Sequence, residues 1–199
     1  MLRDGYTDLP AGRVAAIATS LEMRERPVCR SGMGHAIPFQ LRQVERPDVG
    51  WYRELFRRIG EPWLWQSRLR MEAAQLEGII RSPRVEVWSV VVDGLDVGLI
   101  ELDFRVADEC ELAFFGLCGD QVGQGLGRSM MTHAIDRAWA QPIGRFWVHT
   151  CTLDHPGALG FYIRSGFKAY QRQLELFEDP RLNGTLAPDA APQVPVIRG

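Results

Sequence analysis

One stretch, residues 109–140, constrains the fold more than any other because it changes from a strand pattern to a helix pattern across closely spaced glycines. An apolar and aromatic run over residues 112–117 predicts a strand. A glycine-spaced turn at residues 123–127 follows, and apolar residues then recur at helical spacing over residues 126–139 until Pro142. A strand that enters a helix through glycines gathers unpaired backbone N–H groups at the positive end of the helix dipole, which favours phosphate binding. The alternative is a tight turn whose glycines serve packing alone.

Two common phosphate-binding loops do not fit this turn. A Walker A loop requires Gly-Lys-Ser/Thr, whereas Gly127 is followed by Arg128 and Ser129. The Rossmann fingerprint G-x-G-x-x-G requires a third glycine at position 128 or 130, and these positions hold Arg128 and Met130. The turn therefore belongs to neither class.

A second segment, residues 150–167, has a related layout. A strand is predicted over residues 146–150, and it leads into the polar run at residues 154–156, where Pro156 is expected at the first helical position. A short helix is predicted from there through Ser165. Gly166 then stands where a left-handed C-cap is expected.

Together, the two segments resemble the GNAT superfamily of acyl-coenzyme A-dependent N-acyltransferases. The family's turn reads Gln/Arg-x-x-Gly-x-Gly, and Gly125 and Gly127 match its glycines. The family's later helix reads Asn-x-x-Ala-x-x-x-Tyr followed by Gly-Phe, and it is matched by Ala158, Tyr162, Gly166 and Phe167. The resemblance covers roughly residues 85–177. It implies an α/β fold with a mixed, mostly antiparallel central sheet and helices on both faces.

The resemblance also implies acetyl-CoA as co-substrate, with its pyrophosphate at the glycine turn. Val122 stands where the family has Gln or Arg, so the backbone amides are expected to hold the pyrophosphate by themselves. His155 stands where the family usually has Asn. The implied cofactor-binding residues are Leu117, Gln121, Val122, Gly123, Gln124, Gly125, Leu126, Gly127, Arg128, His155 and Ala158.

Two carboxylates are candidates for the general base. Transfer of an acyl group from a thioester to an amine needs a neutral amine, a stabilised oxyanion and a reprotonated thiolate, with no covalent enzyme intermediate. Glu111 lies where acidic bases occur in histone-acetylating members of the family, and strand alternation predicts that it shares a face with Ala113 and Phe115. Desolvation on so apolar a strand would raise its pKa towards neutrality, while the alternative is an edge carboxylate in water. Glu101 on the preceding strand is the alternative base, directly or through water.

Tyr162 is the candidate general acid. It lies one helical turn before Gly166, where the family places a tyrosine close to the thioester sulfur, and a phenol can donate a proton to the departing thiolate. The alternative is a core tyrosine whose hydroxyl is satisfied. Of the histidines, only His155 is expected near the cofactor, and His149 alternates with strand positions that look buried.

The rest of the chain has a clear order of elements. We predict a strand over residues 13–23, with a helix as the rival, then a loop over residues 24–38 and a strand over residues 39–44. A helix from Pro47 to Gly60 and a second across residues 71–80 flank Trp63 and Trp65. In the family this region forms a wall of the acceptor pocket, and plain core packing is the alternative for these tryptophans.

Three further strands, a closing strand and a tail complete the layout. The dipeptide Asp93-Gly94 predicts a hairpin between strands over residues 85–92 and 97–104, and a third strand from Asp108 extends it into an antiparallel meander. A closing strand is predicted over residues 169–177. We predict one domain, residues 1–178, and a Pro- and Ala-rich tail, residues 179–199, that is mobile or docked on a neighbour.

Composition excludes several classes of function. The 199 residues suffice for one hydrophobic core, and the net charge of −2 without a basic block argues against a nucleic-acid partner. No apolar run reaches the length of a membrane span. The four cysteines are scattered without metal-ligand spacing, so no metal site is predicted and reduced thiols in a cytoplasmic protein are expected.

We therefore predict an N-acetyltransferase that moves an acetyl group from acetyl-CoA to a small-molecule or peptide amine by direct attack in a ternary complex. The alternative is a non-catalytic CoA-binding sensor or regulatory module. Exposed aromatic residues are consistent with a homodimer.

Overall fold

A seven-stranded sheet with helices on both faces forms the described part of the chain, which is residues 4–27 and 37–199 of a computed structural model. The strands are β1 (Arg13–Met23), β2 (Gln40–Gln43), β3 (Val85–Val92), β4 (Leu95–Asp103), β5 (Glu109–Leu117), β6 (Arg145–Cys151) and β7 (Lys168–Glu178). The helices are α1 (Val49–Gly60), α2 (Ser67–Arg70), α3 (Ala73–Ile80), α4 (Leu126–Ala138) and α5 (Ala158–Arg164). The strand order is β2-β3-β4-β5-β6-β1-β7, and only β5 and β6 pair in parallel. The predicted mixed, mostly antiparallel fold is confirmed.

One face of the sheet is covered by α4 and α5. The apolar residues at helical spacing in α4 are buried, with Leu126, Met130 and Ala134 fully enclosed against the sheet. Tyr162 of α5 and Phe167, the residue just before β7, join this core. The helical period that predicted α4 therefore marks the stripe that packs on the strands.

The opposite face is covered by α1 and α3. The Asp48 side chain caps α1 by accepting a hydrogen bond from the Trp51 backbone N–H at 2.9 Å. Tyr52 and Phe56 of α1 and Leu76 of α3 have no exposed surface, and they pack against the strands of the meander. The predicted helix over residues 71–80 begins only at Ala73, because Met71 and Glu72 have extended backbones that separate it from α2. A short 3-10 turn (Glu61–Trp63) precedes α2.

Local turn and strand predictions are confirmed at the meander and at β1. Asp93 and Gly94 both have positive φ, at 49° and 79°, which is the conformation of a type I′ hairpin turn. β1 is a strand and not the rival helix, and it pairs antiparallel with both β6 and β7. Gly166 has a φ of 106°, as expected for a left-handed cap.

The start of α5 is a correction. The helix begins at Ala158 instead of Pro156, because the chain first makes a turn in which Ala158 N–H donates to the His155 carbonyl. Pro156 therefore lies in the turn before the helix.

Residues 179–199 pack on the protein's own sheet, which corrects the prediction of a mobile or neighbour-docked tail. The Arg181 guanidinium is buried, binds the Asp179 carboxylate at 2.7 Å, and donates to backbone carbonyls including that of Val194 at 2.8 Å. Leu186 is 2% exposed and packs with Leu64. Individual side-chain contacts hold this segment, which forms no helix or strand, so it has no periodicity that a sequence could display.

Part of the predicted loop at residues 24–38, including Cys29, lies outside the described residues. No helix in the described ranges combines the length and apolarity that crossing a membrane requires.

Candidate active site

A cleft opens between β5 and β6 where their parallel pairing stops. The two strands pair at Glu109–Arg145, Cys110–Phe146 and Glu111–Trp147. Beyond Glu111, β5 continues to Leu117 and β6 to Cys151 without pairing to each other. The space between them is a cleft of about 340 Å³. The candidate site is thus a gap between two strands of the sheet, and residues on both faces of the sheet border this gap.

A β-bulge at Ala113 accompanies the opening and corrects the predicted faces of β5. The register between β4 and β5 shifts there, because Glu101 lies opposite Phe114 while Leu102 lies opposite Leu112. The extra residue reverses the side-chain alternation from Ala113 onward. Glu111 therefore shares the α1 face with Phe114 and does not share a face with Phe115 as predicted.

The glycine turn presents free backbone amides next to the cleft. Gly123 and Gly125 adopt φ values of 89° and 86°, which glycine reaches at low cost. The backbone N–H groups of residues 123–127 donate no hydrogen bond within the described chain, whereas the neighbouring Val122 and Arg128 amides donate to the Gly119 and Gly125 carbonyls. Five consecutive free amides at the start of a 13-residue helix have the chemistry of an anion site.

The other predicted cofactor residues fall into two groups. Leu117, Val122, His155 and Ala158 line the cleft itself. Gln121 lies just outside and has a buried Oε1 without a donor among the described residues, so that it can accept a hydrogen bond from a ligand. The His155 Nδ1 accepts the Gly157 N–H at 3.0 Å, so this nitrogen already serves the turn before α5.

Tyr162 lines the cleft from α5 and is 7% exposed. Its ring packs edge-on against Phe115 and Phe167, at centroid distances of 6.3 and 5.9 Å. Its hydroxyl forms no hydrogen bond with any described residue. Burial, reinforced by the Asp154 carboxylate, raises the pKa of Tyr162, so the phenol keeps its proton at neutral pH.

The two candidate bases have different surroundings. Glu101 is fully buried, and its carboxylate accepts hydrogen bonds from the Tyr52 hydroxyl and the Arg68 guanidinium. Glu111 is partly accessible, and burial together with the nearby Asp103 carboxylate raises its pKa to about 7. Of the two, Glu111 can gain and lose a proton near neutral pH.

His149 and Asp154 are functional candidates that the sequence did not indicate. His149 alternates with the buried positions of β6, and its side chain is 50% exposed, lines the cleft, and has its Nδ1 3.8 Å from a Glu111 carboxylate oxygen. Asp154 accepts hydrogen bonds from the Thr150 hydroxyl at 2.8 Å and from Trp65 Nε1 at 3.0 Å. The Trp65 contact joins positions 89 residues apart, so no local pattern could have revealed it.

Comparisons with known proteins agree with this geometry. The sequence matches the acetyltransferase (GNAT) family over residues 49–167. A GCN5-related N-acetyltransferase from Sphaerobacter thermophilus has a similar fold, with a TM-score of 0.60 and 14% identity over 82% of this chain and 52% of its own. A GNAT-family protein from Novosphingobium aromaticivorans superimposes with a TM-score of 0.56 and 18% identity, over 86% of this chain and 70% of its own.

A third similar structure is the ribosomal-protein-S18-alanine N-acetyltransferase from Escherichia coli, with a TM-score of 0.55 and 15% identity over 71% of this chain and 94% of its own. This chain spans about half the length of the Sphaerobacter protein. A search of the curated proteins returned no match. The family match covers more than half of the sequence and includes both the glycine turn and Tyr162, so the chain belongs to the acetyltransferase (GNAT) family.

Proposed function

We propose that this protein is an N-acetyltransferase that moves an acetyl group from acetyl-CoA to the amine of a small molecule. The observation that carries the proposal is the cleft between β5 and β6, which opens directly after Glu111 and lies next to the free amides of the glycine turn. The phenol of Tyr162 thus lines the opening, and an anion site and a carboxylate with a pKa near neutrality lie at its borders.

The residues present fit acetyl-CoA. The free amides of residues 123–127 would bind the pyrophosphate, and Leu117 and Ala158 would border the chain that leads from it into the cleft. No side-chain cation is required at the turn, because the amides and the α4 dipole supply the positive potential. When bound there, acetyl-CoA supplies an acetyl group activated as a thioester.

Glu111 and Tyr162 would move the two protons of the reaction. Glu111 accepts a proton from the acceptor ammonium, directly or through His149 and water, so that the amine nitrogen can attack. The new N–C bond would form as the C–S bond breaks, and the Tyr162 hydroxyl would donate its proton to the departing thiolate. The newly acylated nitrogen must lose one further proton to become a neutral amide, and this proton would restore the Tyr162 hydroxyl. Glu101 suits the role of base less well, because Tyr52 and Arg68 already occupy its carboxylate.

Calorimetry and a thiol-release assay test the proposal. We expect acetyl-CoA and CoA to bind with similar affinity, since the pyrophosphate contact is common to both, and thiol release to require an added amine. Mass spectrometry of the product should show acetylation on nitrogen. Binding of acetyl-CoA without thiol release for any amine would instead support a CoA-binding sensor module.

A further inference from the structure

We propose that Asp103 and Glu111 act as a pair of carboxylates with different tasks, in which Asp103 stays ionised and Glu111 takes up the proton of the acceptor. Asp103 is then a positioning residue, since it acts on the reaction only through Glu111. This inference rests on the proposed N-acetyltransferase function and specifies what controls the pH dependence of its active site.

The pairing of β4 with β5 brings the two carboxylates together. Asp103 and Glu111 lie directly opposite each other in this antiparallel pair. Side chains at such positions share a face, with Cβ atoms about 4.5–5.5 Å apart. This is the face that α1 covers, since Glu101, two residues before Asp103 on β4, accepts a hydrogen bond from Tyr52 of α1. Two negative charges at this separation repel each other, so one member of the pair favours its protonated form.

Arg105 determines which of the two carboxylates stays charged. Its Nε lies 3.0 and 2.8 Å from the two Asp103 carboxylate oxygens, its Nη2 donates at 2.6 Å, and its backbone N–H donates at 2.9 Å. A carboxylate that only accepts hydrogen bonds is in its ionised form, and Asp103 is 8% exposed, so little water competes with Arg105. The Glu111 carboxylate accepts no hydrogen bond within the described ranges. Glu111 is therefore the member of the pair that can carry the proton.

The other charges near Glu111 offset one another in part. Burial is the largest cause of its raised pKa, and Asp103 has the largest effect among the surrounding charges. Arg68 and Glu101 bind each other, so their effects on Glu111 have opposite signs. Arg105 opposes Asp103, but its effect is smaller. Removal of the Asp103 charge should therefore weaken proton binding at Glu111.

His149 connects the pair with the cleft. Its Nδ1 lies 3.8 Å from a Glu111 carboxylate oxygen, and its half-exposed side chain lines the cleft, whereas Asp103 lies outside the lining. A proton from an acceptor ammonium can reach Glu111 from this side, directly or through His149 and water. The N–H bond of the ammonium breaks and an O–H bond forms on Glu111. Because this transfer removes the repulsion between the two carboxylates, the Asp103 charge favours it.

The pH dependence of Asp103→Asn tests this inference on the full-length protein. The substitution keeps the size of the side chain and removes the charge opposite Glu111. We expect the decrease of kcat/KM towards acidic pH to move to lower pH by roughly 0.5–1 unit, the scale of one nearby charge at a partly accessible site. The value of kcat/KM above this decrease should fall by about threefold, because Glu111 becomes a weaker base.

Two further variants separate the effect of charge from that of structure. Arg105→Gln leaves the Asp103 charge uncompensated, so the decrease should move to higher pH, opposite to its shift in Asp103→Asn. Glu86→Gln is the matched control and should keep the wild-type profile, because Glu86 is also bound by an arginine, Arg137, but on the face of α4. An unshifted profile in folded Asp103→Asn and Arg105→Gln proteins, or an equal loss of activity at every pH, would overturn the inference.

A direct titration separates this inference from the proposed function. NMR of protein with ¹³C-labelled glutamate carboxyl groups follows Glu111 without any turnover, and Glu111→Gln assigns its signal. If no amine is acetylated, the proposed function fails. In that case, a titration midpoint that is lower in Asp103→Asn and higher in Arg105→Gln would still establish the pair. Equal midpoints in the wild type and both variants would refute it.

Discussion

The two sides of the cleft differ in how the chain builds them. The proposed cofactor side consists of residues 117–128 and the start of α5, so its candidate anion site lies within one short stretch. The proposed acceptor side gathers lining residues from within 59–67, 113–116, 148–154 and 175–177, which are far apart in sequence. Backbone conformation determines the structure of the cofactor side, and packing between distant residues determines that of the acceptor side. Substitutions on the two sides should therefore change different binding constants.

The largest effect is expected at Tyr162, which stands between the two sides. Tyr162→Phe should lower kcat by roughly 10²–10⁴-fold, the usual contribution of a general acid, with little change in stability because the hydroxyl has no described partner. Affinities for acetyl-CoA and for the amine should both stay close to those of the wild type. Tyr170→Phe, an exposed tyrosine outside the cleft, is the matched control in the thiol-release assay.

A fully active Tyr162→Phe protein would remove this phenol from the mechanism. A changed affinity for acetyl-CoA alone would place Tyr162 on the cofactor side.

Protonation of Glu111 should lower kcat/KM at acidic pH, and this decrease is the acid limb of the pH–rate profile. Since its pKa is about 7 and the base acts when deprotonated, kcat/KM should fall as the pH decreases below 7. Glu111→Gln should lower kcat/KM by about 10²–10³-fold at pH 8 and abolish this limb. The neighbouring Glu109→Gln should retain the limb, since Glu109 is paired with Arg145. An unchanged limb in Glu111→Gln would assign the base to another group.

The same pKa has a consequence for stability. The folded-state pKa of Glu111 is raised above the ordinary value of 4.5, so the folded protein binds more protons than the unfolded chain between pH 4.5 and 7. The wild type should therefore lose stability relative to Glu111→Gln as the pH rises through this window. Denaturant unfolding at several pH values measures the difference, and parallel curves for the two proteins would contradict the raised pKa.

A substitution at Gly125 tests the cofactor side alone. Gly125→Val forces a β-branched residue into a φ of 86° and brings a side chain to the free amides, so CoA affinity should fall by well over tenfold. The amine affinity of the protein should not change. Gly119→Ala is the matched control, because a Cβ at Gly119 meets no atom within 4 Å. Unchanged CoA affinity in a folded Gly125→Val protein would separate the glycine turn from the pyrophosphate.

The smallest effect is expected in residues 179–199, which contact the acceptor side of the cleft. Gln193 Nε2 donates to the Pro62 carbonyl at 2.7 Å, directly before Trp63, which lines the cleft. Gln193→Ala should raise the KM for the amine by about twofold to fivefold, the scale of one exposed hydrogen bond, without affecting CoA affinity. Asn183→Ala is the control, since within the described ranges the Asn183 side chain bonds only to Thr185. An altered CoA affinity would show that the two sides are coupled.

The same division explains what the sequence could predict. The glycine turn, α4 and the capping Gly166 follow from local rules on glycine conformation and helical period, and the structure confirms them. The face of Glu111 could not be predicted, because the bulge at Ala113 exists only relative to the pairing of β4 with β5. The Trp65–Asp154 contact and the packing of Arg181 likewise depend on partners brought together by the fold. The catalytic and cofactor roles assigned to individual residues stay predictions.

The position of β1 between β6 and β7 has a consequence for the order in which the protein can fold during synthesis. Met23 pairs with Phe146 and Arg13 with Glu178, so β1 leaves the ribosome long before either of its partners exists. The meander of β3, β4 and β5 can close as soon as its own residues have emerged, because its pairings are local. During that interval the apolar residues Val14, Leu21 and Met23, all buried in the native sheet, have no strand to cover them. We expect nascent chains to depend on chaperones over this interval, since an unpaired apolar strand invites aggregation until β6 and β7 arrive.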